Sequence, residues 1–474
     1  MLLFHTYSQN YTNFLNLVYK LYTMTFIRKI KKKSGTYLAE VENKWENGTC
    51  KQHYIKYIGK ETEGKPTRRI TTTNITATTI KRHLDVEIIN HLTEELNLKH
   101  YLTPQTLVLL YSQLLERPSI NKMEQWLNET DILEILKIEN ITTHQLYTAL
   151  EQLQEQDFTE IEKTIANTFA KYETKQSLII DITDTYFEGA DFDEKPRRGK
   201  DGKVKKLVQV AMAVSKKWGF PIFHRTFDGN ISGKNIYKEM LATLAPLGYT
   251  GVIVDRGMYT AQNIKDTVAL GLSSICGVVR HESFDEVIRG IDKSKLYCKE
   301  NRVVLKNTDV YVVSVGYLGG ELLVVYDPLV EVAGRKRLYD EGGGDVDCEF
   351  LGFSLIFHNT GLDCFEVVRV YFEKDVVERS FRCLKGVLGL RPVRVWLRSH
   401  VEAHMKICYV AYAVLSLLAF RISCLGISVV DALDLLRLGY RVELCDVKSG
   451  FVWDLVVELK SEQKKIRDLV YKKG

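Results

Sequence analysis

Residues Tyr371 to Lys385 read Y-F-E-K-D-V-V-E-R-S-F-R-C-L-K, with no Gly or Pro. The run predicts a helix. At about 100° per residue, Tyr371, Lys374, Glu378, Arg382 and Lys385 fall within about 80° of one another. That face carries a phenol, three cations and one carboxylate, where a helix packed into a core would show an apolar stripe. Val376, Val377, Phe381 and Leu384 lie to the side and supply the stripe to be buried. A single acid among phosphate-binding groups points to a metal-binding carboxylate beside a polyanion.

Composition sets the frame around that stretch. The chain has 474 residues, enough for two to four domains with their own cores. Hydrophobic residues at 45% and charged residues at 26% are ordinary for a soluble globular protein. The net charge of +5 is mild, but it is clustered: Arg28 to Lys33 reads R-K-I-K-K-K, and residues 195–206 read K-P-R-R-G-K-D-G-K-V-K-K. Repeated basic clusters favour a nucleic-acid partner. The nine cysteines form no C-x-x-C pair, which fits a reducing cytoplasm. Residues 1–23 lack a basic n-region and read as an upstream extension before Met24 or a weak amphipathic helix, not a signal peptide. Ile407 to Phe420 is apolar, but Arg421 ends it short of the ~20 residues a membrane span needs. It reads as a buried core helix, with no membrane partner.

In chain order, residues 24–64 alternate in polarity around Ser34-Gly35 and Asn47-Gly48, which predicts a basic, three-stranded β-meander. Residues 65–174 are rich in Leu, Ile, Glu and Gln and predict an all-helical DNA-binding region; Thr142 reads as the N-cap of a helix over 143–154. A helix-turn-helix and a plain packed bundle are equally compatible with it. From 175 to 280 the order is strand, strand, strand, helix, strand, helix, strand. That is the order of an RNase H-like α/β core, a mixed sheet with helices packed on it. Residues 281–365 read as a β-rich insertion. Residues 366–420 return to the core with the opening helix and the one after it, and 421–474 read as a helical tail.

Asp181 and Asp255 end two of the predicted core strands, with Asp184 a close rival to Asp181. Together with Glu378 they make three carboxylates without a His or Cys partner, a set suited to Mg²⁺ or Mn²⁺. Two such ions activate a nucleophile and stabilise the leaving oxygen in phosphoryl transfer. A strand-end Asp also commonly caps the next helix, and Asp255 precedes such a helix. His400 and His404 stand at i, i+4 with Cys408 next on that face. H-V-E-A-H is not H-E-x-x-H, and a core or DNA-facing helix is the expectation there.

With these residues in view, the chain resembles the DDE transposases of prokaryotic insertion sequences. The branch is the one with a β-rich insertion between the second Asp and the Glu. Its signature, Tyr-x2-Arg-x3-Glu-x6-Lys, matches Tyr371, Lys374, Glu378 and Lys385, with Lys374 where Arg is usual; the charge is kept and the planar fork is lost. D-I-T-D-T-Y-F-E-G places the first acid at Asp181, and V-D-R-G places the second at Asp255. Phe227 to Asn230, Arg391 to Val393 and His400 to His404 are similar to further stretches of the family.

The resemblance implies cut-and-paste transposition on double-stranded DNA, at terminal inverted repeats and target, by a homodimer in a nucleoid-associated, cytoplasmic setting. Asp181, Asp255 and Glu378 would hold two Mg²⁺, with Mn²⁺ able to substitute. Tyr371, Lys374, Arg382, Lys385 and Arg256 would grip phosphates, and Arg197 and Arg198 flanking DNA. Relatives stack a displaced base on an insertion Trp during hairpin formation. This insertion has none, and Tyr297, Tyr311, Tyr317 and Tyr326 are the aromatic candidates. A metal-dependent nuclease on the same core and an inactive DNA-binding relic are the rival readings.

Overall fold

The computed structural model describes residues 25–472 apart from 47, 63–64, 68–73, 187–196, 200–201, 203, 307, 343–347, 373 and 391–396. The expected upstream extension and the Arg391–Val393 stretch lie outside the described residues. The chain divides into two compact units, Met1–Thr79 with Val442–Leu455, and Ile80–Arg441 with Val456–Gly474.

In the first unit, β1 (Thr25–Lys32), β2 (Gly35–Glu46), β3 (Thr49–Thr62) and β4 (Lys65–Thr67) form an antiparallel sheet in chain order. Gly35 and Gly48 take positive φ at the two expected turns, where a side chain is disfavoured. The fourth strand was not expected. A second sheet joins β5 (Ile75–Arg82) to β17 (Tyr440–Asp446) and β18 (Phe451–Val456). This corrects two sequence expectations, an all-helical 65–174 and an all-helical tail. The alternation Y-R-V-E-L-C-D at 440–446 and the turn at Lys448-Ser449-Gly450 carried the signal. The partner strand lies more than 350 residues away in sequence.

The second unit begins with six helices: α1 (Leu84–Glu95), α2 (Pro104–Leu115), α3 (Met123–Asn128), α4 (Ile132–Leu136), α5 (Thr143–Glu155) and α6 (Thr159–Phe169). Thr142 caps α5 in a full capping box with Gln145, as its sequence predicts. The strands that follow are β6 (Ser177–Tyr186), the short β7 (Arg197–Arg198) and β8 (Val204–Lys205), β9 (Leu207–Ser215) and β10 (Pro221–Asp228). Then come α7 (Gly233–Leu244), β11 (Gly251–Val254), α8 (Ala261–Ala269) and β12 (Ser273–Val278).

The stretch expected as an insertion holds α9 (Glu282–Arg289), α10 (Lys293–Leu296), β13 (Arg302–Val304), β14 (Asp309–Tyr317), β15 (Gly320–Tyr326), α11 (Pro328–Asp340) and β16 (Phe353–His358). Its strands do not make a sheet of their own. They extend the core into one nine-stranded mixed sheet, β10-β9-β6-β11-β12-β16-β15-β14-β13. Within it β11 runs parallel to β6 and β12, while β9 and β16 are antiparallel to their neighbours.

The opening stretch is not one helix. α12 (Cys364–Phe372) stops, Lys374 leaves helical geometry at φ −72° and ψ 20°, α13 (Asp375–Arg382) restarts, and a π-helical turn covers Cys383–Val387. The predicted stripe is buried: Val376, Val377, Phe381 and Leu384 all lie in the core. The chain closes with α14 (Arg398–Arg421), α15 (Val429–Arg437) and α16 (Ser461–Tyr471).

α14 is long and apolar enough to cross a membrane, yet 83% of its most apolar window is buried within the protein, so it serves as the core helix. Tyr409 donates to the Ile222 carbonyl at 2.8 Å, and Tyr412 to Ser380 Oγ at 2.6 Å. These bonds tie α14 to β10 and to α13. Glu162 of α6 is buried against β10, accepting from His224 Nδ1 at 3.1 Å and from Arg225 at 2.9 Å.

Candidate active site

The site is set by register. Val254 of β11 pairs with Ile180 on one side and Cys276 on the other. One residue further, Asp181, Asp255 and Gly277 therefore stand in one row across three parallel strands, about 4.8 Å apart per step. Asp255 keeps extended backbone at φ −82° and ψ 161°, so the row continues past the last ladder bond. Neighbours in register share a face, so Asp181 and Asp255 project from the same side of the sheet. Asp184 lies three residues beyond Asp181, past the end of β11, and receives Lys385 at 3.9 Å. Of the two rivals, Asp181 is the one in line with Asp255.

Tyr371 and Lys374 converge on Asp255. The Tyr371 phenol donates to Asp255 Oδ1 at 3.1 Å, and Lys374 Nζ to the same oxygen at 3.0 Å. Lys374 also sits over the Tyr371 ring, 4.1 Å from its centroid. Burial alone would raise the Asp255 carboxyl. The Lys374 ammonium, with bonds from the Arg256 backbone and the Tyr371 phenol, outweighs that and holds it below the usual carboxylate range. Burial and the Asp255 charge push the Tyr371 phenol up, so it stays a donor.

Gly277 is the residue sequence reasoning missed. A Cβ there would fall well inside van der Waals contact of Tyr371 Oη and its ring. The absent side chain is what lets the phenol cross β12 to reach Asp255. An isolated Gly inside the apolar run S-S-I-C-G-V was the available signal of a close approach.

Glu378 behaves differently. It lies on α13, which packs against β6, and its side chain is exposed. Among the described residues, no three Asp, Glu, His or Cys side chains gather closely enough to hold a metal ion. The break at Lys374 separates Tyr371 and Lys374, which turn onto Asp255, from Glu378, so the single predicted face is divided. For a divalent ion the fit is partial. The donors are hard oxygens and two of the three acids share a row. The third is exposed on α13, and the Lys374 ammonium already lies at Asp255 Oδ1.

Arg256 follows Asp255 directly and is exposed, as is Arg382 at the end of α13. Arg198 is exposed and donates to the Gly202 carbonyl; the Arg197 side chain lies outside the described residues. His400 is buried and stacks on Tyr147 at 5.8 Å, and His404 faces Cys408 Sγ at 3.5 Å. Burial pushes His404 down to about 4, the behaviour of a core histidine. Of the four tyrosines named as stacking candidates, Tyr297 is exposed and stacked on Tyr311, with centroids 4.3 Å apart. Tyr317 and Tyr326 are occupied by Tyr259 and Glu331 respectively.

No protein-family model matches the chain. No curated protein matches it either. Among solved structures it is similar to a piggyBac transposase, seen by cryo-EM in a synaptic complex with hairpin DNA. The two are 11% identical, with a TM-score of 0.39, over 82% of this chain and 76% of that chain. That likeness is too slight to bear on the site.

Proposed function

We propose that the chain is a DNA transposase that cleaves and joins phosphodiester bonds at the ends of an insertion sequence. The row Asp181–Asp255–Gly277, with cations beside it, is the observation that carries this reading. The strand order β10-β9-β6-β11-β12 supports an RNase H-like core, and the motif match at Tyr371, Lys374, Glu378 and Lys385 supports the DDE branch.

Asp181 and Asp255 would hold Mg²⁺ or Mn²⁺, with Glu378 the third acid by motif. Bound divalent ions supply Lewis acidity and lower the pKa of bound water. The chain's own groups do the rest. Lys374 and Tyr371 keep Asp255 ionised and oriented at Oδ1. Arg256, Arg382, Lys385, Arg197 and Arg198 bind backbone phosphates, which makes binding steeply salt-dependent. A homodimer holding two double-stranded ends, in the cytoplasm, completes the proposal.

Asp255→Asn is expected to abolish Mg²⁺-dependent cleavage of DNA carrying the sequences that flank the coding region, while mobility shift shows end binding largely intact. Full cleavage by that variant would sink the assignment. With a pre-cleaved end and a target plasmid, strand-transfer product is expected; cleavage without joining would make the chain a nuclease instead.

A further inference from the structure

We propose that one face of the β1–β3 sheet is a binding platform for single-stranded DNA, an inference that rests on the DNA reading above. Cross-strand partners share a face, so the register sorts every side chain. Phe26 pairs with Val41 and Val41 with Tyr54; Arg28 pairs with Ala39 and Ala39 with Tyr57. Trp45, Tyr37 and Lys32 follow on the same face by alternation. All four described acids of these strands, Glu40, Glu42, Glu46 and Glu61, fall on the opposite face, where Lys56, Lys44, His53 and Lys29 pair with them.

The two faces of one thin sheet are thus unlike. The first carries aromatic rings and cations, and among the described residues no carboxylate. Trp45 and Tyr54 are each 60% exposed and Phe26 is 40% exposed. The short Ala39 and Val41 between them are buried. Arg28 is bonded to a neutral partner, Gln52, and Lys32 lies over the Tyr37 ring at 5.7 Å. A membrane surface or an apolar peptide does not need cations spaced between rings. A polyanion with flat rings does: phosphates meet Arg28 and Lys32 while bases stack on Trp45 and Tyr54. Base faces are available only in unpaired strands, since a duplex stacks them on one another. Single strand is therefore the expected form.

The test is fluorescence anisotropy of the full-length protein in EDTA, with a labelled 12-nucleotide mixed-sequence single strand and the same sequence as duplex. The Trp45→Ala/Tyr54→Ala double variant is expected to lose at least about tenfold in single-strand affinity and to keep most of its duplex affinity. Trp45→Phe/Tyr54→Phe is expected to restore stacking and most of the binding, which separates lost stacking from lost folding. Titrating wild type is expected to quench Trp fluorescence, with the quench reduced in Trp45→Phe. Unchanged single-strand affinity in the Ala variant overturns the proposal. So does conversion of a dimer to a monomer in sedimentation with binding unchanged, which would make the face a contact between copies. If the platform fails while Asp255-dependent cleavage persists, this inference falls and the transposase reading stands.

Discussion

The two sheets place their carboxylates in opposite settings. In β1–β3 each described acid is partly exposed and has a Lys or His beside it. Such pairs in high-dielectric surroundings add little stability and are screened by salt. In the nine-stranded sheet, Asp181 lies within β6 and Asp255 directly follows β11, and the parallel register sets the two acids in one row. There a single ammonium and a phenol converge on Asp255 from a different part of the chain. Pairing across antiparallel strands neutralises charge locally, whereas the parallel register aligns two acids on one face, and aligned charge is what a reaction centre needs.

That contrast breaks first at the row itself. Asp181→Asn should reduce Mg²⁺-dependent cleavage by at least about a thousandfold in a gel-based assay. Glu40→Gln, in the paired ladder, should leave cleavage unchanged. Equal losses would erase the distinction between the sheets.

The next largest effect is expected at Glu162, an acid buried with its partners. Glu162→Gln leaves the Arg225 guanidinium uncompensated and should lower stability by about 3 kcal/mol in urea unfolding. Burial pushes the Glu162 carboxyl up, but His224 and Arg225 pull harder and hold it below the usual value. A depressed folded pKa gives stability that is present above the unfolded value near pH ~4.3 and is lost as pH falls through the folded one. The acid limb of the wild-type unfolding curve should therefore be steeper than that of Glu162→Gln.

A smaller change is expected at Gly277→Ala. The added methyl displaces Tyr371 from Asp255 and should cost about 1–3 kcal/mol by overpacking. Tyr371→Phe in the same background should add little further loss, because the bond is already broken. Additive losses would mean that the glycine serves something other than the phenol. Least of all, Lys56→Gln should leave the thermal midpoint unmoved and unresponsive to salt, as expected of an exposed pair.

Much of this was legible beforehand because it is local. The order of elements from 177 to 278 follows apolar runs and turn residues. The buried side of α13 follows a 3.6-residue period, and Thr142 announces its cap. What escaped was set by distant partners. No Gly or Pro marks the break between α12 and α13; Lys374 leaves the helix where it turns onto Asp255. The strands β17 and β18 alternate plainly but meet β5 across more than 350 residues. The insertion strands have ordinary β signals, yet their sharing of the core sheet depends on β16 lying beside β12.

By itself the sequence determined which residues have the chemistry: two aspartates on core strands, of which Asp181 proved to lie within β6 and not at its end, one acid among cations, and a basic, aromatic first meander. Only the tertiary structure decided how they group. Register is a long-range property, set by which strands pair and where the pairing starts. It put Asp181, Asp255 and Gly277 in one row, sent every described acid of the first sheet to one face, and left Glu378 exposed on a helix of its own.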